Sequence, residues 1–227
     1  MTAFFRQALV ITFKDLRAEI RTKEAVNASF AFALVILVIF SFAFDPSEDT
    51  TRDMSGGLLW IVFAFAGTLL LNRSFARELP NDTLDALIAA PISGAALFFG
   101  KAVANYFLLL AVELVSLPVF GIFYNVHWTS QFWELMLVLA LGTWGLTLIG
   151  TFCSALTVNI RLREVMLPML TYPALVPVLM ASMVLTMSLV AGKPIGEETI
   201  PWLKILVGFD IVFTAASLTL VEIVLVG

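Results

Sequence analysis

Charge is scarce in this sequence. Only 13% of its 227 residues are Asp, Glu, Lys or Arg, about half the share of an ordinary soluble domain. It contains one cysteine, Cys153, and one histidine, His127. A single cysteine excludes an internal disulfide and a Cys-based metal site. A net charge of −4 excludes the basic footprint of a nucleic-acid-binding domain. In place of charge stand long apolar stretches: 60% of the residues are apolar and the mean hydropathy is +0.99. Runs of this length have to lie in lipid, which excludes a soluble enzyme and leaves little chain for a catalytic domain.

Six runs are long enough to span a bilayer, which takes about 20 mostly apolar residues. They are residues 25–44, 55–72, 102–124, 135–160, 165–192 and 205–227. Transmembrane β-strands would show alternating segments of about ten residues, and these runs are continuous. The expectation is an all-α integral membrane protein with six transmembrane helices, forming a single domain over residues 1–227. Ten cations precede span one or lie in the loops after spans two and four, against three on the other side. The positive-inside rule then places both termini in the cytoplasm. The second run is expected to continue helically past Arg73 until Pro80 stops it.

Residues 1–24 hold charge and precede an apolar run too long for a signal peptide. At about 100° per residue, Phe5, Leu9, Phe13, Leu16 and Ile20 share one face, and Arg6, Lys14, Arg17 and Arg21 share an adjacent one. This predicts an amphipathic helix on the membrane surface, its cations toward anionic headgroups.

Residues 73–101 form the most elaborate loop. Asn81 or Thr83 can cap a helix. Leu84, Leu87 and Ile88 fall on one face of it, Asp82 and Asp85 lie near its start, and Pro91 ends it. Ser93 can cap span three. A two-turn helix of this kind is unstable alone and needs something to dock against. With Phe75, Arg77, Glu78, Thr83, Leu84, Asp85, Leu87, Pro91, Ser93, Gly100 and Lys101, the segment resembles the coupling region of bacterial ABC-type export permeases. Asp82 stands where that pattern has Gly. Within the group, a short six-span chain is most similar to the haem-exporter B family of cytochrome c maturation. The resemblance implies a permease working with a separate cytoplasmic ABC ATPase, which binds the ATP, and a haem-handling membrane protein. It also implies a homodimer in the bacterial inner membrane, with haem as the handled ligand. Arg77, Glu78, Thr83, Leu84, Asp85, Leu87 and Pro91 would then form the ATPase-coupling set. Gly94 to Lys101 only superficially resembles a phosphate-binding loop, because its glycine spacing is one residue too long and Ala102 replaces the magnesium-holding Ser or Thr.

Ionisable groups in a span are costly, which makes Glu113, Asp210 and Glu222 candidates for a polar path or a protonatable switch, or for hydrogen-bonded glue between helices. Thr143, Thr147, Thr151 and Ala155 form a row of small residues on span four, suited to close packing within the chain or to a dimer seam. Pro168, Pro173 and Pro177 are expected to kink span five. His127 beside Trp128 could serve as an axial haem ligand or be an ordinary interfacial residue. Met180, Met183 and Met187 share a face suited to packing, and Cys153 reads as a buried apolar residue. Three other functions stay open: an ABC permease for a lipid, drug or polymer, a scaffold that transmits ATPase motion to a haem-bearing partner, and a proton-coupled carrier using Glu113 and Asp210.

Overall fold

Each apolar run forms a helix, as its length and continuity require. The computed structural model describes residues 2–44, 49–79, 83–126 and 129–226. Among them, six helices are long and apolar enough to cross a membrane. They are α2 (Glu24–Ala43), α3 (Asp49–Asn72), α5 (Gly94–Phe123), α6 (Phe132–Thr157), α7 (Arg163–Val190) and α8 (Ile200–Val226). A surface helix, α1 (Thr2–Thr22), precedes them, and a two-turn helix, α4 (Thr83–Ala89), stands between α3 and α5.

Helix α6 is central and packs against α3, α5, α7 and α8. Its sequence permits this because small residues line it. Thr143, Thr147 and Thr151 are fully buried, as is Gly142. A Cβ at Gly142 would run into the Trp60 ring of α3 and the Ser182 hydroxyl of α7. Only a bare backbone lets those two helices close on α6 at that level. Trp60 is itself fully buried, and its indole N–H donates to Thr186 Oγ1 of α7 at 2.8 Å. Ala155 is also buried. The whole row therefore faces the interior of one chain, not a dimer seam.

The outward faces carry large apolar residues. Val35, Ile39 and Phe42 of α2 and Ile211, Val212 and Ile223 of α8 are all at least half exposed, as lipid-facing surfaces must be. Helix α7 runs unbroken through Pro168, Pro173 and Pro177. Met180 is half exposed while Met183 and Met187 are partly buried, and Cys153 is buried.

Both ends of the connecting loop follow expectation. Helix α5 starts at Gly94, ahead of its apolar run, because Ser93 Oγ accepts from the Ala96 N–H and caps the helix there. The charge of Lys101 is thus inside α5. Span two continues helically past Arg73 to Glu78, its last turn tightening to the 3-10 form at Ala76–Glu78.

Candidate functional site

The chain leaves α3 by tightening. The N–H groups of Arg73 and Ser74 donate to the carbonyls of Leu70 and Leu71, three residues back, at 3.2 and 3.0 Å. That closure is of the 3-10 type, which unwinds an α-helix at its end. A short 3-10 turn, Ala76–Glu78, follows. It places Arg77 and Glu78 beside charged partners on other helices.

Glu78 is only 5% exposed. Its Oε1 accepts from Lys14 Nζ of α1 at 2.5 Å and from Lys101 Nζ of α5 at 2.9 Å. Lys101, at 1% exposed, also donates to Asp15 Oδ2 of α1 at 3.0 Å and to the Ser74 carbonyl at 3.1 Å, and its ammonium lies 5.2 Å from the centre of the buried Phe75 ring. Arg77 pairs with Glu19 of α1. Three cations and three carboxylates are thereby matched, which meets the demand that a buried charge be paired and hydrogen-bonded. Burial pulls the Lys14 ammonium down, and the carboxylates of Asp15 and Glu78 outweigh that pull and hold its pKa above the usual lysine value. One turn along α5, Asn105 Nδ2 donates to Ser74 Oγ at 2.8 Å and to Thr151 Oγ1 of α6 at 2.9 Å. The polar contacts thus run from the loop into the bundle.

Helix α1 holds the far side of the loop as well. Gln7 Nε2 donates to the Pro91 carbonyl, just beyond α4, at 2.9 Å. Both flanks of α4 are therefore tied to one surface helix. Close approach of α1 to α5 depends on Gly100, whose carbonyl accepts from Thr12 Oγ1 at 3.0 Å. A Cβ at Gly100 would stand 2.6 Å from the Ala8 carbonyl and 2.8 Å from Ile11 Cβ. The predicted lipid stripe of α1 remains outside: Phe5, Leu9, Phe13 and Ile20 are all more than half exposed.

The structure thus divides the motif residues in two. Phe75, Arg77, Glu78, Gly100 and Lys101 build the seat of α1. In helix α4, Thr83, Ala86 and Ala89 are exposed and Leu87 is half-buried, while the side chains of Leu84 and Asp85 lie outside those described. Asp82 lies outside the described residues. Gly94 to Lys101 is helical, and the Lys101 ammonium is already engaged by two carboxylates.

The profile of the CcmB protein family matches residues 6–222. This chain belongs to the CcmB family. It is 31% identical to Heme exporter protein B of Rhodobacter capsulatus over 73% of its own length and 76% of that protein's. It is likewise 31% identical to Heme exporter protein B of Paracoccus denitrificans, over 76% of its own length and 78% of the relative's. Identity to the protein of that name from Pseudomonas aeruginosa is 29%, over 88% and 85% of the two chains.

In this CcmB chain the intramembrane carboxyls fall into two situations. Glu113 of α5 is fully buried, and its Oε2 accepts from Thr143 Oγ1 of α6 at 2.5 Å. Asp210 of α8 is 5% exposed and lies against Gly145 of α6. Both face the bundle interior. Glu222 is exposed on α8 and separate from them. His127 and Trp128 lie outside the described residues. Replacing Thr143 by Val removes the hydroxyl that serves Glu113. It should cost on the order of 1–3 kcal/mol, read as a lowered midpoint of thermal unfolding in detergent. An unchanged midpoint would mean that the carboxyl finds another donor.

Residues that sequence reasoning missed are Gln7, Asp15, Glu19, Ser74 and Asn105. Lys14 was legible only as a surface cation.

Proposed function

We propose that this CcmB chain is the permease subunit of an ATP-driven complex that delivers haem across the bacterial inner membrane for c-type cytochrome assembly. The names of its relatives support the substrate, and membrane-length helices support the location. One observation carries the mode of action. A two-turn helix, α4, with Thr83, Ala86 and Ala89 exposed, stands between two spans, and both its flanks are tied down by α1. A helix of seven residues is unstable by itself. Held by its flanks and exposed at Thr83, Ala86 and Ala89, it suits a soluble partner that pushes on it.

In this reading the ATPase is a separate subunit docking on Leu84, Asp85 and Leu87, with both termini of the permease on the same cytoplasmic side. Two copies of the chain pair in the complex beside a haem-handling membrane protein. Haem is cargo here, with His127 as the one histidine that could meet it.

Replacing Leu84 and Leu87 together by Asp should reduce copurification of the ATPase to background while the chain still inserts and accumulates in membranes. Retained ATPase would remove α4 as the docking element.

The interior favours one second reading, in which the chain transmits ATPase motion to a haem-bearing partner. Its centre is packed: Trp60, Phe63, Leu109, Leu146 and Val178 are all fully buried. Reconstituting the chain and its ATPase in vesicles and following haem across the bilayer separates the two. ATP-dependent haem movement without further subunits supports export through the permease, and its absence supports transmission.

A further inference from the structure

Helix α1 ends in a sharp joint. Lys23 takes a left-handed conformation, φ 56° and ψ 13°, and α2 starts at the next residue. A non-glycine residue there is uncommon and has to be held by its surroundings. Lys23 supplies no side-chain cap for the new helix. The cap comes from Glu19, one turn back on α1. Its Oε1 accepts from the Val26 N–H in the first turn of α2 at 2.9 Å, which satisfies one of the amide groups that every helix start leaves open.

The other oxygen of Glu19, Oε2, pairs with Arg77. Glu19 is 1% exposed. One buried carboxylate therefore joins three elements: α1, the first turn of the first span, and the turn that leads into α4. Burial of the Glu19 end reduces the screening that makes fully exposed ion pairs weak. A second link nearby, from Arg73 just after α3 to Glu24 in the first turn of α2, is exposed at both ends and has no such protection.

We propose that Glu19 is a positioning residue for coupling: it transmits displacement of the α4 region through Arg77 to the α1–α2 joint, so that motion enters the membrane at span one as well as through α3 and α5. This rests on the reading of α4 as the ATPase-docking helix. A push on α4 that tilts the Ala76–Glu78 turn has two routes into the bundle. One passes through Glu78 and Lys101 to α5. The other passes through Arg77 and Glu19 to α2.

Glu19→Gln tests the second route alone, because the amide oxygen can still accept from Val26 while the charge on Arg77 loses its partner. In cells carrying the whole complex, Glu19→Gln should lower the yield of c-type cytochrome at least fivefold while ATPase copurification stays within twofold of wild type. Arg77→Gln, which leaves the Val26 cap intact, should give the same loss, and the double variant should be no worse than either single. Arg77→Lys should recover most of the yield.

Full cytochrome yield from Glu19→Gln would overturn the proposal. So would ATPase copurification that falls in step with the yield, since Glu19 would then be shaping the docking surface. Failure of both Gln variants to accumulate in membranes would make the pair structural only, and would overturn it too. If the Leu84 and Leu87 double variant retains its ATPase, the docking reading fails on its own count, whatever the Glu19 result.

Discussion

Lys101→Met should destabilise the protein by about 3–5 kcal/mol, the usual consequence of removing one member of a buried ion pair. Lys101 is 1% exposed and serves Asp15, Glu78 and the Ser74 carbonyl at once. Methionine fills similar volume, so the loss is electrostatic. Two carboxylates would be left sharing Lys14, which is itself 42% exposed along its side chain. Lys14→Met should cost far less, on the order of 1 kcal/mol, because water reaches that side of the cluster. The double variant Lys101→Met with Glu78→Gln should recover part of the loss, since it removes an orphaned charge together with its partner. Thermal unfolding of the three proteins in one detergent gives the ranking. Equal midpoints for Lys101→Met and Lys14→Met would show that the cluster is wetter than the burial of Lys101 implies.

Gly100→Leu should separate α1 from α5. Even a methyl group there meets the Ala8 carbonyl and Ile11 Cβ inside van der Waals distance, and the carbonyl cannot rotate out of the way as a side chain could. Overpacking a well-packed contact costs roughly 1–3 kcal/mol. Here displacement of α1 also opens the ion cluster, so the loss should exceed that range. In inside-out vesicles, α1 should become sensitive to protease and cytochrome yield should fall to background. Gly208→Leu is the control: a Cβ there meets nothing within 4 Å, and the variant should behave as wild type. Protease resistance of α1 in Gly100→Leu would refute the close approach.

The six spans, the surface helix, the two-turn helix and the Ser93 cap were legible because each depends on a local pattern: a run, a period or a cap. The seat of α1 was not. Its packing stripe contains Ala8, Ile11, Thr12, Asp15 and Glu19, a mixture with no hydrophobic period. Its partners stand 58 to 88 residues away. The stripe facing lipid is legible because it is apolar, and the basic stripe because it is charged. The third stripe mattered most for the site and looked like neither. Arg77 and Glu78 were recognised from their pattern, but only the fold shows that their partners are within the chain. The Thr143 row posed a similar ambiguity between an internal contact and a seam, which burial resolved.

The ion cluster also orders the making of the protein. Asp15 and Glu19 leave the ribosome first, Arg77 and Glu78 some sixty residues later, and Lys101 after those. Until α3 has inserted and α5 has begun, the carboxylates of α1 lack these partners. Helix α1 is thus held by its lipid stripe and its joint to α2 while two spans are threaded past it, and its docking onto α5 reports that the intervening hairpin has folded.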